Sequence, residues 1–171
     1  MQPWLQHRYA GVTVRVVEQE RVEWVLLAYR LPREPSTPRI ALWRKLRRLG
    51  AAQVADGVVA LPADSRTREH VDWLADYVLD HGGEASVWVA RLGSRAQEEA
   101  LVERMRTAVA EQYRAVLAEA DEAARADDGT RQLARRLRRE LRRIDQRDFF
   151  PPPERDAARA GVAALARRVS A

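Results

Sequence analysis

The chain has 171 residues, 46% hydrophobic and 32% charged, enough for one domain of ordinary size or a small domain with an appendage. It holds no cysteine, which excludes a disulfide framework, cysteine-ligated zinc or iron–sulfur and thiol catalysis, and its three histidines (His7, His70, His81) exclude a histidine-rich metal centre. The net charge of +5 rests on 30 basic residues, all arginine except Lys45, and no apolar run approaches the roughly 18 residues of a membrane span.

Residues 1–21 read as an N-terminal arm or an extra strand. Val12, Val14 and Val16 alternate with Thr13 and Arg15. No unbroken apolar core follows the first charges, as a secretory signal would require. Val22–Leu31 is a nearly continuous apolar run of strand length, which suggests burial on both faces. Pro32 and Pro35 stop it. Ser36 is placed as an N-cap, Pro38 fits the first helical turn, and Gly50 fits the C′ position after Leu49. Ile40, Trp43, Leu46 and Leu49 recur at near-helical spacing and are expected to face a sheet. Ala52–Ala55 and Val58–Leu61 are short strands joined by an Asp56-Gly57 turn. Asp64 or Ser65 caps a helix over Arg66–His81, with Val71, Leu74, Val78 and Leu79 inward. Gly82-Gly83 ends it, and Ala85–Leu92 is the fourth strand.

Residues 22–92 therefore read strand, helix, strand, strand, helix, strand. The ferredoxin-like βαββαβ sheet is the usual solution, with strand order 4-1-3-2 and both helices on one face. Residues 93–171 read as a helical appendage. One helix runs Ser94–Ala126, with Leu101, Met105, Val109, Gln112, Val116 and Ala120 as its stripe. Asp127-Asp128-Gly129 breaks it. A second covers Thr130 to about Asp148, with Leu133, Leu137, Leu141 and Ile144 on one face. Phe149-Phe150 and three prolines form a corner, and a last helix covers Glu154–Val169 with Ala158, Val162, Leu165 and Val169 inward. The fold class is α+β: a ferredoxin-like domain followed by three C-terminal helices. Trp24, Trp43 and Trp88 are expected in its core.

Three segments carry a family likeness. They are Tyr29-Arg30-Leu31-Pro32-Arg33-Glu34-Pro35-Ser36, then Trp43-Arg44-Lys45-Leu46-Arg47-Arg48-Leu49-Gly50, then Asp56-Gly57-Val58. Together they resemble the amino-terminal domain of the ChrB-type chromate-resistance regulators. Glu111-Gln112-Tyr113 and Arg147-Asp148-Phe149-Phe150 resemble that domain's later signatures. The likeness covers roughly residues 22–170. A more distant one links the sheet half to PaaX-type repressors and to the small CRISPR integration protein that docks on DNA. The resemblance implies a DNA-binding regulator of an oxyanion-resistance system.

Arginine is well suited to such a role, because its planar fork donates two hydrogen bonds to one phosphate or oxyanion. The first cluster sets Arg30, Arg33, Arg39, Arg44, Lys45, Arg47 and Arg48 against Glu34 alone. The second, Arg131–Arg147, holds eight arginines against Glu140, Asp145 and Asp148, next to a helix with nine acids and five arginines over residues 94–128. An antiparallel helical hairpin held by apolar seams and complementary charge accounts for about half of them. Arg39, Arg44, Lys45, Arg47 and Arg48, with Arg138, Arg139, Arg142 and Arg143, are the candidate DNA contacts. A solvated helix face is the plain alternative, and arginine-rich composition also follows from GC-rich coding.

No catalytic set emerges. CRISPR-associated relatives that act as metal nucleases hold magnesium with a carboxylate at the end of the first strand, where this chain has Tyr29-Arg30. Asp56 belongs to a turn, and His70 and His81 are too far apart along one helix to share a metal. The sequence is read as a cytoplasmic, non-enzymatic DNA-binding transcription regulator without cofactor or metal, working as a homodimer. An oxyanion effector or a separate sensing protein would complete it, and no membrane is involved. Two other classes remain open: a protein-interaction module whose arginine helices dock an acidic partner, and an oxyanion-binding protein.

Overall fold

The computed structural model describes residues 21–126 and 131–168. Residues 1–20 of the arm proposed over 1–21, the Asp127-Asp128-Gly129 break and Val169 lie outside them. Four strands, β1 (Trp24–Arg30), β2 (Ala52–Ala55), β3 (Val58–Pro62) and β4 (Glu84–Ala90), alternate with α1 (Thr37–Leu49) and α2 (Ser65–Asp80). Three helices follow: α3 (Arg95–Arg125), α4 (Arg131–Asp145) and α5 (Glu154–Arg168). The sheet is antiparallel in the order β2-β3-β1-β4, so the expected topology holds. β1 is central, pairing Val25 with Leu61 on one side and with Val89 on the other.

The punctuation falls where local chemistry demands. Gly57 adopts φ 71°, and its carbonyl accepts from the Tyr29 N–H at 2.7 Å. A Cβ there would stand 2.5 Å from the Tyr29 carbonyl oxygen, so only glycine fits the turn. Asp64 caps α2 through a capping box: its carboxylate accepts from the Thr67 N–H at 2.7 Å, while the Thr67 hydroxyl accepts from the Asp64 N–H at 2.9 Å.

One face of the sheet, Val25, Leu27, Val59 and Leu61, packs against Leu42 and Leu46 of α1 and Val71, Leu74, Ala75 and Val78 of α2. Trp24 and Ala60 point to the opposite face, where Leu101 and Met105 of α3 cover them. The far half of α3 then forms a second core with α4 and α5, built on Tyr113, Val116, Leu137, Ile144 and Val162. Phe149 packs against both cores that flank the sheet.

Several side chains differ from expectation. Ile40 and Trp43 do not face the sheet; both are exposed, and Leu42 takes the inward position one turn before Leu46. Two overlapping stripes run along α1, and the one at i, i+4, i+7 (Leu42, Leu46, Leu49) wins because it matches the helical repeat better than steps of three. Leu79 is exposed, since the inward stripe of α2 ends at Val78 and Ala75 fills the turn before. Trp88 is 63% exposed because β4 is an edge strand whose outer surface nothing among the described residues covers. Of the three tryptophans expected inside, Trp24 alone is buried. On α3, Tyr113 is buried and Gln112 lies at the border of the stripe.

Candidate functional site

With Leu42 and Leu46 turned to the sheet, α1 projects its cations outward. They separate into distinct positions. Lys45 lies over the Tyr77 ring of α2, 4.5 Å from its centroid, and Arg39 donates to the Arg33 carbonyl at 3.5 Å. Arg47 lies over the Trp43 ring at 4.8 Å. Arg44 and Arg48 are exposed and have no hydrogen-bond or ion-pair partner among the described residues.

The helix ends at Gly50, whose φ of 74° is left-handed and whose N–H donates to the Arg47 carbonyl at 3.2 Å. A Cβ on Gly50 would meet Arg147 Cβ at 2.7 Å and its carbonyl oxygen at 2.9 Å. The end of α1 and the residue two positions beyond α4 therefore touch, and a side chain at 50 would force them apart. Arg147 Nε donates to the Gln112 carboxamide oxygen at 2.9 Å, and its Nη2 donates to the same oxygen. Burial lowers the pKa of this half-buried guanidinium. Glu140 supports its charge, while Arg47 and Arg143 oppose it.

A cleft of about 700 Å³ opens here between the end of α1, the start of β2 and α3. Arg44, Arg47, Arg48, Arg104 and Arg147 line it, and Glu111 is the one acid in its lining. The sequence placed three of these arginines in one cluster and Arg147 in another. Arg104 escaped notice because α3 reads as the acidic partner of α4. Its signal was its place one residue before Met105, which turns it to the flank of the buried stripe.

The second cluster divides. Arg143 pairs with Glu140 at 3.3 Å and lies outside the cleft lining. Arg138 and Arg142 are exposed on α4 outside the cleft lining, on the side of Asp145, which binds Arg159 of α5 at 2.9 Å. Arg139 is exposed on the side away from the core. The charge complementarity expected between α3 and α4 appears as the Arg136–Glu119 pair.

Beside the cleft the Tyr113 hydroxyl stands 2.7 Å from Asp145 Oδ1 and 3.0 Å from Asp148 Oδ2. It has one hydrogen to donate between two carboxylates. Burial and both acids push the phenol pKa far up, so it stays neutral. Burial also raises the Asp148 carboxyl above its ordinary value, outweighing the Tyr113 hydrogen bond and Arg155. An acid raised in the fold favours the folded state while protonated; that stability is lost as pH climbs from the ordinary carboxylate pKa through the raised one. Tyr113→Phe removes a donor to the charged form. It should cost about 1.5–3 kcal/mol at pH 7 and clearly less near pH 4. Urea denaturation at the two pH values checks this, and an equal loss at both would assign the hydroxyl's effect to packing alone.

Residues 39–171 match the family described as Protein ChrB, N-terminal. The chain belongs to the ChrB family. Protein ChrB of Cupriavidus metallidurans is 33% identical over 137 residues, covering 75% of this chain and 40% of that protein. The chain thus spans less than half the length of that relative. The ChrB match takes in the whole cleft lining and leaves β1 outside. The segments that carried the likeness in sequence meet in space. Gly50 abuts Arg147, Gln112 accepts from Arg147, and Tyr113 donates toward Asp148.

Neither His70 nor His81 sits in a metal cluster; each ring Nδ1–H donates at 2.7 Å to the carbonyl four residues earlier, Arg66 and Tyr77 respectively. Among the described residues no group of three or more potential ligands could hold a metal ion. No described helix is long and apolar enough to cross a membrane.

Proposed function

We propose that this chain is the DNA-binding part of a transcription regulator of the chromate-resistance type, acting without catalysis. The supporting observation is the cleft, where five arginines from three stretches of chain converge against Glu111 alone. Like charges gathered at this density repel, and a phosphate backbone relieves that cost while releasing counterions. The test is binding of the chain to DNA from upstream of its own gene at several salt concentrations. Five contacts, the cleft arginines, give a log–log slope of about −4.5 and a loss of roughly 500-fold between about 50 and 200 mM salt. Binding that is weak at low salt and insensitive to it would remove the proposal.

A small oxyanion held in the same cleft is a second reading. It is favoured by Arg147, a half-buried cation opposed by two neighbouring arginines. Catalysis is not proposed, because the end of β1 presents Tyr29 and Arg30 where a metal-binding carboxylate would be needed. Purified protein should leave DNA and RNA intact with magnesium or manganese. Metal-dependent cleavage abolished by Asp56→Asn would overturn this.

A further inference from the structure

We propose that Trp43 is a base-stacking residue, taking an unpaired base of the bound nucleic acid on its indole face while the adjoining cleft takes that strand's phosphates. The inference rests on the nucleic-acid function proposed above and names the kind of strand the site accepts.

Trp43 is 53% exposed, although Leu42 beside it is fully buried on the same helix. The fold makes no use of the indole as core. One turn on, the Arg47 guanidinium lies 4.8 Å from its ring centroid, a cation–π contact that orients a ring still about half exposed. Arg47 also lines the arginine cleft, so the ring adjoins a lining residue although Trp43 itself is outside the lining. Ile40, exposed one turn earlier on the same side of α1, adds an apolar flank. An aromatic face beside a phosphate-binding groove is the arrangement by which proteins hold single strands. Every base has a π-face, and only an unpaired or unstacked base can present it.

Trp73 and Trp88 are also exposed, but among the described residues neither ring contacts an arginine of the cleft, as Trp43 contacts Arg47. Trp73 meets His70 edge-on at 5.8 Å on α2, and Trp88 lies on the β4 edge. They serve as internal controls.

The test is fluorescence anisotropy with one labelled oligonucleotide, offered as a single strand and as the fully paired duplex. Binding is measured for the wild type and for Trp43→Ala, Trp43→Phe, Trp73→Ala and Trp88→Ala, with circular dichroism confirming the fold. Trp43→Ala should lose roughly 5- to 150-fold in affinity for the single strand, the range for one stacked base. It should lose less for the duplex and keep the same salt slope, since no phosphate contact is removed. Trp43→Phe should retain most of the binding, and the two control variants all of it. Tryptophan quenching on addition of strand should disappear in Trp43→Ala. Unchanged single-strand affinity in Trp43→Ala, with the steep wild-type salt slope intact, overturns the stacking role and leaves the DNA-binding function standing. A wild type that binds neither form at low salt overturns both. A Trp43→Ala variant that keeps its affinity but changes its sedimentation mass overturns stacking and assigns the Ile40–Trp43 patch to contact between copies of the chain.

Discussion

Replacing Arg44, Arg47 and Arg48 together with alanine should flatten the salt dependence of DNA binding by about three units and leave the fold intact. All three side chains are exposed and line the cleft, and none accepts a structural load that alanine could not carry. Arg47 touches Trp43, but on the outer surface of α1. Their loss leaves Arg104 and Arg147, so residual binding should persist at low salt with a shallower slope. Leu46→Ala on the opposite face of the same helix acts differently: it empties a fully packed position and should cost about 2–5 kcal/mol of stability. Replacing Arg138, Arg139 and Arg142 together tests the other cluster. All three are exposed on α4 outside the cleft lining, so an equal flattening would show that DNA wraps onto α4 as well. If the first triple variant folds normally and keeps the wild-type slope, the α1 ridge belongs to an acidic protein partner, and the interaction-module alternative takes its place.

Trp24→Ala should be the most damaging substitution of a single residue, about 3–5 kcal/mol. Trp24 is 1% exposed and fills the space between the sheet and α3, against Ala60, Leu101 and Met105, with the Phe150 ring centroid 6.1 Å away. Little can collapse into the void, because β1 and α3 are each fixed by other contacts. The indole also carries a liability: its Nε1–H is buried without a hydrogen-bond partner. Trp24→Phe removes that unsatisfied donor along with part of the volume, and the two effects oppose each other. Its cost should therefore be well under half that of Trp24→Ala in a denaturant titration. Similar losses for both variants would mean that the indole's full volume, and not the aromatic contact, holds the layers together.

Much of the sheet half was legible because its signals are local. Asp56-Gly57, the Asp64 cap and Gly50 each fix the backbone within a few residues, and the apolar runs between them are strand-sized. What covers the second face of the sheet was not legible. The Leu101–Met105 stripe announces that α3 is buried there but carries no information about its partner. The same limit explains Trp88: an apolar strand looks central until its neighbours are known, and β4 has one. On α1 the error with Trp43 arose from choosing between two stripes a single residue apart, where about 100° of helical phase decides which side chains go in. The site was half visible. The arginines of α1 stand close together in sequence, whereas Arg104 and Arg147 join them only through the approach of Arg147 to Gly50.

Phe149 belongs to both cores that flank the sheet, and α3 runs from one of them into the bundle core. Drawing α3 away from the sheet would strip Leu101 and Met105 from the Trp24 face, so the two regions share part of their cost of opening. A fragment cut after β4 would expose the Trp24 face to water and favour aggregation over independent folding. The shape of the cleft depends on that packing, since its arginines stand on α1, on α3 and just beyond α4.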